Sequence, residues 1–124
     1  MPNLIEIPAV SGEAASQLLS LQKSYQTAGD EDVIKEVLTG HASLHSLLME
    51  AVQPLHRAFG PTRVLCLRGQ SSDDENLVSV IVRLPASFGD PEAALRAFDA
   101  DWWLANCHRS DGVLAFDYET RDAL

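Results

Sequence analysis

The chain is short of the features that most quickly narrow a protein's chemistry. It has two cysteines, Cys66 and Cys107, in 124 residues. Neither has a second cysteine at metal-ligand spacing, which excludes thiolate zinc sites and paired redox cysteines. Both are expected to be free thiols in a reducing compartment. No apolar run approaches the roughly 20 residues that a membrane-spanning helix needs. The opening MPNLIEIP has neither a basic nor a strongly apolar region of the kind a secretory signal requires, so the cytoplasm is the expected location. Basic residues are scarce as well, nine Lys and Arg against eighteen Asp and Glu, for a formal charge of −9. They are dispersed, and so negative a chain would repel a phosphate backbone before contact, which disfavours direct nucleic-acid binding.

What is present is an ordinary globular composition, 46% hydrophobic and 22% charged. Residues 1–124 are expected to form one domain with a core of its own. Asn3 to Pro8 alternates and ends in proline, which predicts an edge strand or an extended arm. Ser11 is a candidate cap for a helix to about Ala28, with Ala14, Leu18, Leu21 and Tyr25 as its apolar stripe and Gly29 as its stop. Asp30 then caps a second helix, its first turn acidic through Glu31 and Asp32 as the helix dipole favours. Apolar residues recur at spacings of three and four from Ile34 to Phe59, with Gly40 a point of interruption and Pro54 a predicted kink. These two helices, joined by a short turn, predict an antiparallel hairpin occupying residues 1–60.

Residues 61–124 change character. Arg63 to Arg68 and Leu77 to Leu84 alternate about the polar connector GQSSDDEN, predicting a β-hairpin. Asp90 followed by Pro91 marks a helix start. Along that helix Leu95, Phe98, Trp102 and Ala105 share one face, and Trp103 lies about 100° from Trp102, toward the boundary. Asp111 and Gly112 form a turn, and Val113 to Tyr118 alternates as a last strand. The expected fold is α+β, an N-terminal helical hairpin followed by a small, mainly antiparallel β-β-α-β sheet with helices on one face. A right-handed crossover allows the last strand to lie beside either strand of the hairpin, and the position beside the first, which makes the sheet antiparallel, is favoured here.

Three groups of residues carry chemistry worth weighing. His41 and His45 stand four apart on an expected helix, the spacing at which two imidazoles reach one metal, but Ala42 occupies the place where a zincin-like motif has its glutamate. Histidines lining a helix interface explain the same pattern. Cys107 and His108 adjoin at a helix carboxyl end, where neighbours point apart and the dipole raises a thiol pKa, so neither is expected to be catalytic. The connector GQSSDDEN differs from the glycine-serine loop of nucleotidyltransferases, because Asp73 and Asp74 are adjacent and the strand that follows has no acid. The string FDADWW, with Asp99 and both tryptophans, followed by a turn and a strand with alternating acids, resembles a pattern in short uncharacterised bacterial proteins. That resemblance spans about the last third of the chain and implies no activity, cofactor or site.

The leading expectation is a non-enzymatic acidic domain with no cofactor or metal that binds a protein partner, a second copy included, with no contact to nucleic acid or membrane. Trp103 and Asp99 are the candidate contact residues, because half-exposed tryptophans are enriched at interfaces. Two alternatives follow from other features. One is a small-molecule or metal-binding enzyme with a pocket near His41, His45 and His108, and the other is an acidic inhibitor that mimics nucleic acid.

Overall fold

The computed structural model describes residues 6–71 and 75–121, with backbone alone over residues 6–12. It is an α+β fold in which four helices pack on a mixed four-stranded sheet. Helix α1 (Glu6–Leu21) is followed by strand β1 (Gln26–Gly29), helices α2 (Glu31–Gly40) and α3 (Leu44–Phe59), strands β2 (Val64–Ser71) and β3 (Asn76–Pro85), helix α4 (Pro91–Phe98) with its irregular continuation to Ser110, and strand β4 (Leu114–Arg121). No helix among the described residues is long and apolar enough to cross a membrane.

The amino-terminal half differs from the expected hairpin in three ways. Glu6 to Pro8 is helical, with Pro8 in the first turn where a missing N–H leaves no hydrogen bond unmade. The rest of the strand predicted from Asn3 lies outside the described residues. Next, α1 stops at Leu21, and the chain from Tyr25 runs extended so that Gln26 to Gly29 pairs parallel with Cys66 to Gly69. Tyr25 is buried and donates its hydroxyl to the Leu48 carbonyl at 2.6 Å, which pins the start of β1 to α3. Finally, the long second helix is two helices. Its continuity is lost at Gly40 and His41, where glycine costs about 1 kcal/mol of helix stability. The Ser43 hydroxyl there donates to the Arg109 carbonyl at 3.0 Å, which fixes the break against the distant end of the α4 run. By contrast, α3 continues through Pro54 to Phe59.

Sheet order is β1-β2-β3-β4, with β2 and β3 antiparallel and both outer strands parallel to their neighbours. The sheet is therefore mixed, where a mainly antiparallel one was expected. The cause is β1. It occupies the edge of β2 that the last strand was expected to take, which leaves β4 the free edge of β3. Leu65, Leu67, Val78, Val80, Val82, Leu84 and Leu114 form the inner face, and Ile34, Leu44, Leu48, Leu55 and Phe98 close the core from the helical side.

Both helical connections lie over that face. Ile34 of α2 meets Gly69, and Phe98 of α4 meets Phe116, which pairs in register with Val80. The two parallel steps move the same way across the sheet along strands of opposite direction. The two connections accordingly have opposite hands, and one of them departs from the right-handed rule. On the reverse face Cys66 is buried beneath the Arg83 guanidinium, 3.9 Å from Sγ. Beside it Arg83 and Glu119 pair across strands at 3.2 Å.

Candidate functional site: an aromatic shelf beside an open strand edge

The α4 run begins as its sequence requires. The Asp90 carboxylate accepts the Ala93 N–H at 3.1 Å and Pro91 takes the first helical position. Regular winding ends at Phe98. Asp99–Trp103 forms a π-helical turn in which the Leu104 N–H reaches the Asp99 carbonyl. A bond from i to i+5 aligns residues five apart, so Phe98 and Trp103 come to one side of the helix. Their rings sit 4.8 and 4.7 Å from that of Phe116 on β4. Trp102 meets the same ring edge-on at 6.3 Å and stacks on Trp103 at 6.0 Å with 23° between planes. The Asn106 side chain donates to the Trp102 carbonyl at 2.8 Å, answering an acceptor that the widened turn exposes.

The expected division of labour, Trp102 inward and Trp103 at the rim, assumed regular helical winding. In the π turn both indoles are half-buried on one aromatic cluster, and Leu104 beside them is 68% exposed. Asp99, in the same turn, has its carboxyl pushed above the usual range by burial, and among the described residues nothing pairs with it. Asp101 by contrast is held by Arg57 at 2.9 Å.

Strand β4 lies at the sheet's edge. The Val78 N–H donates to the Val113 carbonyl and the Ala86 N–H to that of Arg121. In a parallel ladder this phase turns the odd-numbered residues of β4 toward β3 and the amides of Leu114, Phe116, Tyr118 and Thr120 outward. The Tyr118 N–H is met by the neighbouring Asp117 carboxylate at 2.8 Å. Among the described residues no strand pairs with the other outward groups. The Tyr118 hydroxyl donates to Glu92 at 2.9 Å, tying β4 to the first turn of α4, and that bond raises the phenol pKa.

The histidines fall into a different arrangement from the one their spacing suggests. His41 caps the end of α2 and His45 lies in the first turn of α3, so the two do not share a helix. His41 Nδ1 lies 2.9 Å from the Asp111 carboxylate, while His45 Nε2 is buried with no hydrogen-bond partner among the described residues. His108 faces solvent, and Cys107 donates to the Leu104 carbonyl at 3.7 Å. No three His, Cys, Asp or Glu among the described residues group to hold a metal ion.

A polar clasp accounts for His41 instead. Beside the His41–Asp111 contact, Arg109 forks onto both Glu50 oxygens at 2.9 and 2.8 Å. The Arg109 hydrogen bond holds the Glu50 carboxyl below its usual range. These contacts dock the turn before β4 onto the α2–α3 break at His41 and onto α3 itself at Glu50.

Phe116 and Tyr118 complete the shelf, and the sequence did not single them out as site residues. Alternation along β4 placed Phe116 and Tyr118 on one face, which is the signal that could have found them. Comparison with known proteins found no matching family model, no matching curated protein and no matching solved structure.

Proposed function

We propose that this chain is a non-enzymatic, acidic cytoplasmic domain that works by binding another protein chain, a second copy of itself included, through the outer edge of β4 and Trp103. One observation carries the reading. An eight-residue strand leaves outward backbone groups unpaired among the described residues, and it is bordered by two half-buried indoles that meet its Phe116 ring. Strand addition to such an edge supplies main-chain hydrogen bonds, and a large aromatic beside it supplies anchored area. Asp99, in the same π turn as the indoles, contributes a carboxylate with no partner among the described residues, suited to a donor on the incoming chain.

Sedimentation velocity over a concentration series, with a pull-down using the tagged chain as bait, tests the proposal. Trp103→Ala is expected to weaken association by about 2 kcal/mol, roughly thirtyfold. A variant that sediments and captures partners as the parent does would sink the assignment of Trp103. A parent chain that stays monomeric and captures nothing would sink the reading as a whole.

A further inference from the structure

A cleft of about 340 Å³ opens where the turn from α1 to β1 faces the last turn of α3 and the start of β2. Lys23, His56 and Arg63 line it with the neutral donors Gln22, Gln26 and Thr62, and no acidic side chain does. The chain as a whole has twice as many acids as Lys and Arg. A second cleft of about 210 Å³ shares Thr62, Arg63 and Val64 with the first and adds Arg83, whose charge Glu119 already answers.

Arg63 is fixed in place. Its Nε donates to the Phe59 carbonyl at 3.1 Å, and its guanidinium carbon lies 5.2 Å from the centre of the Phe88 ring. The remaining guanidinium N–H groups, the Lys23 ammonium and the His56 ring make no hydrogen bond or ion pair among the described residues.

Cations gather at helix carboxyl ends for an ordinary reason, to answer the last carbonyls, and α1 and α3 both end at this cleft. Here several of those carbonyls have other partners, and neither the Lys23 nor the His56 side chain bonds to any of them. Leu18 and Leu21 accept the backbone amides of Gln22 and Tyr25, and His56 accepts that of Gly60. Phe59 is met by Arg63. The fold therefore has no hydrogen-bonding use for the side chains of Lys23 and His56.

We propose that this cleft binds a small oxyanion, the phosphate or carboxylate group of a metabolite-sized ligand. Arg63 supplies a preset fork, and Lys23 and His56, lining the same cleft, add further donors to the anion. A guanidinium already held by Phe59 and Phe88 loses little freedom when its outer N–H groups engage an anion, and charge-assisted bonds of this kind are the strong ones. The volume suits a small molecule. A polyanionic backbone would be turned away by the charge of the chain as a whole.

The test titrates the full chain with inorganic phosphate and, separately, with acetate, ionic strength being held constant with chloride. His56 ring resonances and thermal unfolding are followed together. A saturable shift of His56 with a rise in Tm is expected. Lys23→Gln, a change at an exposed side chain the fold does not use, is expected to weaken binding about tenfold or more, the effect of losing a charge-assisted hydrogen bond. Arg63→Gln is expected to weaken it further. Saturation by phosphate assigns a phosphoryl group and saturation by acetate alone a carboxylate, and either supports the site. No saturable response to either anion, or equal responses in the parent and Lys23→Gln, overturns it.

Discussion

The two outer strands pair with their neighbours in the same parallel sense, yet they close the sheet in different ways. β1 is four residues long and ends in Gly29 at φ 73°, with its neighbour Gly69 pressed beneath the start of α2. A Cβ on Gly69 would lie 2.5 Å from the Asp30 carbonyl oxygen, and one on Gly29 2.6 Å from the Gly69 oxygen. This edge is short and curls at once into a helix, so it offers little for another strand to join. β4 is twice as long and has no helix running off its end within the described residues. Its protection is a single carboxylate, Asp117 on the Tyr118 amide. Backbone fit closes one edge and a side chain guards the other, and a side chain can be displaced by a partner.

Breaking the closed edge should have the largest effect. Gly69→Ala forces apart two backbones that cannot yield locally, with Ile34 Cγ1 only 2.9 Å from the new atom. It is expected to cost about 3 kcal/mol in urea denaturation, at the upper end for overpacking. A loss below about 1 kcal/mol would mean that β1 and α2 are not locked together as described.

Two changes at β4 separate association from stability. Thr120→Pro removes an outward N–H without touching the β3 ladder, and is expected to lower self-association or partner capture while costing less than about 1 kcal/mol of stability. Asp117→Ala uncovers the Tyr118 amide and is expected to raise association, read as a shift to faster sedimentation at equal concentration. A fall in association with Asp117→Ala would show that this carboxylate belongs to the contact and does not guard it.

The smallest expected effect is the response to pH, which sharpens the same contrast. Arg109 depresses the pKa of Glu50, so the clasp contributes stability that is fully present above the unfolded carboxylate pKa and is lost as pH falls through the folded value. Burial raises the pKa of Tyr25, so its anchor at β1 is fully present below the usual tyrosine pKa and is lost as pH rises above it. Hydrogen exchange is expected to quicken first in β4 on acidification and first in β1 in alkali. The same order of opening at both extremes would contradict the assignment of the two anchors.

Much of the carboxyl-terminal half was legible because its signals are local. Asp90 and Pro91 start a helix through their own backbone geometry, Asp111 takes φ 54° and Gly112 φ 78° at the turn, and residues 77–84 alternate because one face of β3 is buried. The aromatic shelf was half legible. Two adjacent tryptophans announce a large buried area, but regular winding sets them about 100° apart, and only the π turn brings both to Phe116. His41 and His45 read as a pair for the same reason, since the periodicity that joins them runs straight through the break at Gly40.

Composition and pattern alone determined an α+β fold for an acidic chain, with a capped last helix and two alternating strands after residue 60. Tertiary structure decided the rest: that Gln26 to Gly29 is a strand, that the second helix is two, that the last strand lies beside β3, and that both indoles meet one ring. Each of these depends on groups distant in sequence. A four-residue strand exists only where another strand answers its hydrogen bonds. A helix break persists only where groups such as Arg109 and Asp111 hold it open, and no local propensity encodes such partners.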